Sequence, residues 1–381
     1  MHSLLYFYPM RIKLVLLFVS ASLTALTQKY DPNDHHHAEI SVSATYYYGT
    51  IFKHSSNFLP EVTEKSHAFE LAFSKITKGD KPWQRKLNYP EIGGAMLITR
   101  FGDNEIFGNA YALIPYAKIW LLRGSKVDFF SRIGFGLGYV TKPYNRVNNP
   151  TNNVIGSKLN NCTQFSFGLD YKVDKQLSFF TALNFTHFSN ASFQSPNLGI
   201  NYLAFSTGFR YLPKPTKGGF DQSPIPKPIQ KNFFRLNYAM AFYENSAAGG
   251  PKYPIYVVSG AYSRSTSVVN RVFTGINYAF DVGKKEYISQ FVFDEKAIKA
   301  SDLSIFVGDE IYIGRLSFDA LLGIYILNAY DSTPPVYAKL GLNYHAVKFG
   351  ETKEKSLFIG VHMKTHYSVA QYFDVGIGLN L

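Results

Sequence analysis

The 381 residues include 33 Phe and 28 Tyr but only 2 Trp, a 17% aromatic load that is high for a soluble helical protein and ordinary for a β-barrel with aromatic girdles. The lone Cys162 excludes an internal disulfide framework, and the formal net charge of +12 suits an anionic surface such as a phosphorylated glycolipid, or a nucleic acid. No P-loop, dinucleotide fingerprint, His-Glu-x-x-His or cysteine pair is present, so nucleotide and zinc-hydrolase chemistry find no support.

Arg11 and Lys13 precede the apolar run Leu14 to Val19, and the small residues Ala21, Ser22 and Ala25 follow. This order predicts an export signal over residues 1–27, with Met10 as an alternative start. Beyond it no apolar run of about 18 residues remains, so a mature chain would cross a membrane by strands and not by a helix. The signal takes two basic residues and no acidic one, leaving +10. Export argues against nucleic acid as a partner. The polar leader that follows contains His35, His36 and His37. Three adjacent histidines in a tail do not converge on one ion, so neither metal nor cofactor is expected.

Strand-like segments then succeed one another: Ile40–Phe52, His67–Thr77, Glu91–Arg100, Asn109–Arg123, Val127–Val140, Thr163–Val173, Leu177–Ser189 and Asn201–Leu212. In the fifth, Phe129, Ser131, Ile133, Phe135, Leu137 and Tyr139 share one face, while Arg132, Gly134, Gly136 and Gly138 share the other. A transmembrane barrel turns the first face to lipid and the second to its lumen. A soluble sandwich would bury the apolar face against a second sheet. The aromatic load and the export signal favour an all-β fold, an antiparallel up-and-down transmembrane β-barrel of eight strands over residues 28–213.

Residues 214–231 read as a linker. Pro215, Pro224, Pro226 and Pro228 with Gly218 and Gly219, just after Pro213, cannot sit inside a sheet. Eight more strand signals follow, at Asn232–Tyr243, Ile255–Ser263, Arg271–Phe280, Ser304–Ile313, Leu316–Ile326, Val336–Ala346, Ser356–Thr365 and Tyr372–Leu381. They predict a second, related β unit over 232–381; a single barrel of about sixteen strands is the alternative. Thr365-His366-Tyr367-Ser368 echoes Thr186-His187-Phe188-Ser189, as an internal duplication would. Its parity differs: Leu357, Ile359, Val361 and Met363 face one way, and His366 and Ser368 the other.

The chemistry concentrates at the end of the seventh strand. Leu177, Phe179, Thr181, Leu183, Phe185, His187 and Ser189 share a face, so an apolar surface ends in a histidine and a serine. Such a pair is either a polar strand end or a base and a nucleophile offered to an apolar substrate. Catalysis needs the two within about 2.6–3.2 Å, whereas i and i+2 start roughly 6.5–7 Å apart along a strand, so the imidazole must lean toward Ser189.

Thr186-His187-Phe188-Ser189-Asn190-Ala191, followed by Ser195-Pro196-Asn197-Leu198-Gly199-Ile200-Asn201, resembles the PagL-type lipid A 3-O-deacylases, outer-membrane barrels also described as acyloxyacyl hydrolases. The resemblance runs from about Ile40 to Leu212, and Tyr48 to Ser55 and Gly136 to Thr141 look like the longer members. It implies Ser189 as nucleophile, His187 as general base, and Asn190, Asn197 and Gly199 around the oxyanion hole. It also implies lipid A or lipopolysaccharide as substrate, contact with outer-membrane lipids in a Gram-negative bacterium, and room for a homodimer. The family places a carboxylate on the next strand to orient the histidine. The matching position here is Asn201, whose amide can fix a tautomer but carries no charge. The competing reading is a barrel without catalysis, a pore or a structural protein.

Overall fold

A computed structural model of the chain describes residues 39–214, 219–244, 248–289, 300–328, 334–351, 354–366 and 369–381. The export signal over 1–27, His35 to His37 and Ser368 lie outside the described residues. Among the described residues, sixteen strands form two separate closed barrels. The first contains β1 (Glu39–Ile51), β2 (Ser66–Ile76), β3 (Glu91–Arg100), β4 (Asn109–Arg123), β5 (Val127–Val140), β6 (Leu159–Lys172), β7 (Leu177–Ser189) and β8 (Ile200–Tyr211). A short helix, α1 (Pro82–Lys86), interrupts the connection between β2 and β3. Each strand pairs antiparallel with the next, and β1 pairs with β8, from Val42 opposite Tyr211 to Ile51 opposite Tyr202.

The second barrel follows the same plan with β9 (Asn232–Glu244), β10 (Lys252–Ser267), β11 (Asn270–Asp281), β12 (Ser301–Ile313), β13 (Leu316–Leu327), β14 (Val336–Phe349), β15 (Lys355–His366) and β16 (Val369–Asn380). Helix α2 (Val282–Ser289) follows β11. Here β9 closes on β16, Asp374 lying opposite Ala241. Closure of β1 on β8 excludes the sixteen-strand alternative. Among the described residues no helix is long and apolar enough to cross a membrane.

Alternation explains both surfaces. On β6, Phe165, Phe167, Leu169 and Tyr171 point outward and are exposed, while Gln164, Ser166 and Asp170 point inward and are buried. The inward positions are charged in matched pairs, because a carboxylate out of water needs a partner. Arg132 forks onto Glu70 (2.6 and 3.2 Å), and Lys118 and Arg210 share Asp170, each at 3.1 Å. Toward the end where β7 stops, the lumen becomes apolar, filled by Tyr47, Leu97, Phe101, Phe107, Phe188 and Tyr202. The second lumen is crossed by Arg235–Asp319 (3.1 Å) and Lys339–Asp374 (2.6 Å). A cavity of about 40 Å³ remains there, lined by Arg235, Asp319, Lys339 and His362 among others.

His366 hydrogen-bonds Tyr325 (3.0 Å), and its neighbours on that face, His362 and Lys364, are buried in the second lumen. His366 of the second-half echo is therefore turned inward, as its parity requires.

Chain direction places the two barrels with like ends together. Glu244, which ends β9, meets Ser192, just beyond β7. At the opposite end Gly314, between β12 and β13, approaches Trp83 of α1. Phe135 and Phe373 touch edge to face between them, with ring centroids 6.5 Å apart.

Candidate active site

Pairing of β6, β7 and β8 assembles the polar residues of the outer surface in one patch. His187 lies between Thr163 on β6 and Asn201 on β8, and Ser189 lies opposite Asn161. One layer further along the strands the same face is apolar: Phe185 stacks beside His187 (6.4 Å, 7° between planes), and Leu183, Phe165, Leu203 and Phe205 are exposed around it.

The chain leaves β7 in a turn that folds back over Ser189. Ala191 and Ser192 have φ of 46° and 66°, an uncommon region for residues with a Cβ. Asn190 holds the turn. Its Nδ2 donates to Ser157 Oγ (2.8 Å) and Gln194 O (2.9 Å), and its Oδ1 accepts from Gln194 N–H (3.2 Å). The turn returns Asn197 to Ser189, where Nδ2 donates to Ser189 Oγ at 2.9 Å and Oδ1 accepts the Asn190 N–H at 3.0 Å. The Ala191 N–H also donates to Ser189 Oγ, at 3.1 Å. Ser189 is thereby covered, with only 2% of its surface exposed.

Three sequence expectations need correction. No hydrogen bond joins His187 to Ser189 among the described residues, because Oγ is held by Asn197 and Ala191 and the strand rise separates i from i+2. Gly199 does not offer its amide to the site: that N–H donates to Val154 O at 2.8 Å. Both Nδ2 hydrogens of Asn190 are likewise committed to the turn, so its side chain is a brace and not an oxyanion donor.

Asn201 does meet His187. Its Oδ1 lies 2.6 Å from His187 Nδ1, and its Nδ2 lies 2.8 Å from Nδ1 of His54, a residue the sequence did not single out for the site. His54 Nε2 lies 3.0 Å from Leu198 O, which can only accept. In neutral His54 the proton therefore sits on Nε2; the other tautomer would exchange this contact for a 3.4 Å approach to Phe52 O. His54 Nδ1 then accepts from the Asn201 amide, the amide oxygen faces His187, and His187 carries its proton on Nδ1. The lone pair is left on Nε2, as a base requires. His54 arrives through the barrel seam, where Phe52 N–H donates to Asn201 O at 2.7 Å. Its one sequence signal was its place in the Tyr48 to Ser55 stretch.

The lipid A 3-O-deacylase (PagL) family model matches residues 67–210, and the acyloxyacyl hydrolase C-terminal domain matches residues 232–381. Among solved structures, the outer membrane enzyme PagL is 17% identical, covers 44% of this chain and 97% of its own, and has a TM-score of 0.31. A BenF-like porin from Pseudomonas fluorescens Pf-5 is 9% identical over 91% of this chain and 98% of its own, with a TM-score of 0.23. A mutant Rh. blastica porin is 8% identical over 91% and 100%, with a TM-score of 0.18. No curated protein sequence matches the chain.

Proposed function

We propose that the chain, in which the lipid A 3-O-deacylase (PagL) model matches residues 67–210 and the acyloxyacyl hydrolase C-terminal domain residues 232–381, is a serine esterase of that family in the Gram-negative outer membrane that removes an ester-linked acyl chain from lipid A. The observation that carries this reading is the outer-face patch: a histidine oriented with a free Nε2, a serine hydroxyl beside two N–H donors, and an apolar strip directly adjoining them.

Substrate binding lays the acyl chain along Phe185, Leu183, Leu203 and Phe205 and brings its ester to the level of Ser189. The imidazole leans toward Oγ as the hydroxyl leaves its Asn197 and Ala191 contacts, and His187 Nε2 takes the proton as Oγ attacks the carbonyl carbon. The Asn197 Nδ2 and Ala191 N–H donors, released from Oγ as it attacks, stabilise the negative charge on the carbonyl oxygen. The tetrahedral adduct collapses, the sugar oxygen leaves with the proton from His187, and water releases the acyl group by the same steps in reverse. Asn201 holds the ring in register but supplies no charge to the imidazolium, which predicts a slower enzyme than one with a carboxylate there. The basic chain favours a phosphorylated headgroup.

The test is the mass of lipid A from cells with and without the protein, paired with hydrolysis of p-nitrophenyl acyl esters by the purified chain in detergent. Loss of one acyl mass, and no loss with Ser189→Ala, is the expected result. Continued deacylation by Ser189→Ala removes this mechanism; no hydrolysis by the wild type together with ion conductance in planar bilayers favours a pore.

A further inference from the structure

The turn between Asn190 and Asn197 is held from the second barrel as well as the first. The backbone N–H of Glu244 donates to Ser192 O (3.0 Å), and Ser192 Oγ donates to Ala370 O (3.1 Å). The Glu244 carboxylate accepts the Ser195 N–H (2.5 Å) through one oxygen and the Gly249 N–H (3.2 Å) through the other. Lys252 stands 3.7 Å from that carboxylate, with its ammonium 5.1 Å from the centre of the Phe193 ring. Each of these contacts that crosses between the barrels lands on residues 192–195, between the two asparagines that frame Ser189.

The placement has consequences that a generic barrel contact would lack. Glu244 is 4% exposed, and a buried carboxylate is costly unless its oxygens are bonded, so the group is fixed in direction by what it accepts. Ser195 is two residues from Asn197, whose Nδ2 donates to Ser189 Oγ. A slip of the Ser195 amide therefore carries Asn197 away from the serine. The first barrel alone closes this loop through a turn with two residues at positive φ, a conformation that persists where its surroundings fix it.

We propose that the second barrel is a positioning domain for the first barrel's site, and that Glu244 is its positioning residue, setting Asn197 on Ser189 through the Ser195 amide. This rests on the esterase reading and gives the second half of the chain a part in it. Glu244 does not touch substrate. It acts on the rate through the loop, not on binding of the acyl chain along β7 and β8.

The experiment uses the full chain in detergent with Glu244→Ala and Glu244→Gln, following p-nitrophenyl ester turnover and amide hydrogen exchange over residues 190–199. Glu244→Ala is expected to speed exchange in that segment while the first-barrel strands stay protected. It should also lower kcat by up to about 100-fold with KM little changed, the scale of an ångström-level displacement. Glu244→Gln keeps an acceptor for Ser195 and should retain most of the rate, which also keeps the test decisive if the alanine variant does not fold. Unchanged exchange, or faster exchange with unchanged kcat, would overturn the proposal. Wild-type protein inert toward esters would instead overturn the esterase reading and the catalytic part with it, an outcome separable because exchange is read independently of turnover.

Discussion

A methyl group on Gly199 would stand 2.6 Å from Cε1 of His187, so the imidazole occupies the space that a side chain at this position would fill. The backbone there has φ of 84°, which L side chains rarely adopt. Gly199→Ala is expected to displace the ring and lower kcat by about 100-fold, with the barrel still folded. Ester turnover beside the heat-modified gel mobility of the barrel checks this; turnover within twofold of wild type would contradict it.

His54 is expected to matter only because position 201 is an amide. With His54→Ala the Asn201 amide loses the acceptor that fixes its direction and can turn Nδ2 toward His187, which forces the wrong tautomer. The rate should fall about 10- to 100-fold. In an Asn201→Asp background a carboxylate has no donor end to misplace, so the same His54→Ala change should cost little. A double-mutant cycle reads the coupling directly. Equal losses in both backgrounds would leave His54 a packing residue.

Inside the first lumen, Arg132→Met is expected to strand Glu70, which is fully buried and keeps, among the described residues, only the Tyr47 hydroxyl at 3.0 Å. An unpaired buried charge costs about 3–5 kcal/mol, whereas replacing both partners with apolar residues is often close to neutral. Urea unfolding of refolded protein should show Arg132→Met well below both the wild type and the Arg132→Met/Glu70→Leu pair. Equal stability of the single and double variants would contradict the ledger.

The linker is clasped to the first barrel through Asp221. Hydrogen bonds from the Ser223 hydroxyl and N–H, with the Arg85 guanidinium at 2.9 Å, hold this carboxyl below the usual carboxylate range. A lowered folded value means the contribution is present above the unfolded pKa of about 3.9 and is lost as pH falls through the folded one. The clasp should hold at neutral pH and open only in acid. Asp221→Asn should open it at every pH, seen as faster limited proteolysis within residues 214–231; identical rates at pH 7 would sink the idea.

The strands were legible because period-two alternation is written into them: β3, β4, β5, β7 and β13 begin where their sequence patterns begin. That the sixteen strands close twice was legible only from the proline break and the echoed motif, since alternation says which face a residue takes and nothing about which edges meet. The same limit divides the site. His187, Ser189, Asn197 and Asn201 sit on adjacent strands and the turn joining them, so spacing alone brings them together. His54 enters through the β1–β8 seam and Glu244 across the linker, distances over which a local motif carries no information. The amide hydrogens of Gly199 and of the Asn190 side chain go to Val154 O, Ser157 Oγ and Gln194 O, which a motif does not reveal because the direction of an N–H depends on the folded turn.

The seam has a bearing on when the His54–Asn201–His187 arrangement can form. His54 reaches Asn201 only once the first strand has joined the eighth, by the same hydrogen bonds that remove the sheet's last open edges. A chain still in transit, with that seam unzipped, holds an Asn201 amide with no fixed direction and a histidine with no fixed tautomer. On the esterase reading, the histidine that serves as base would thus be set only with completion of its own container.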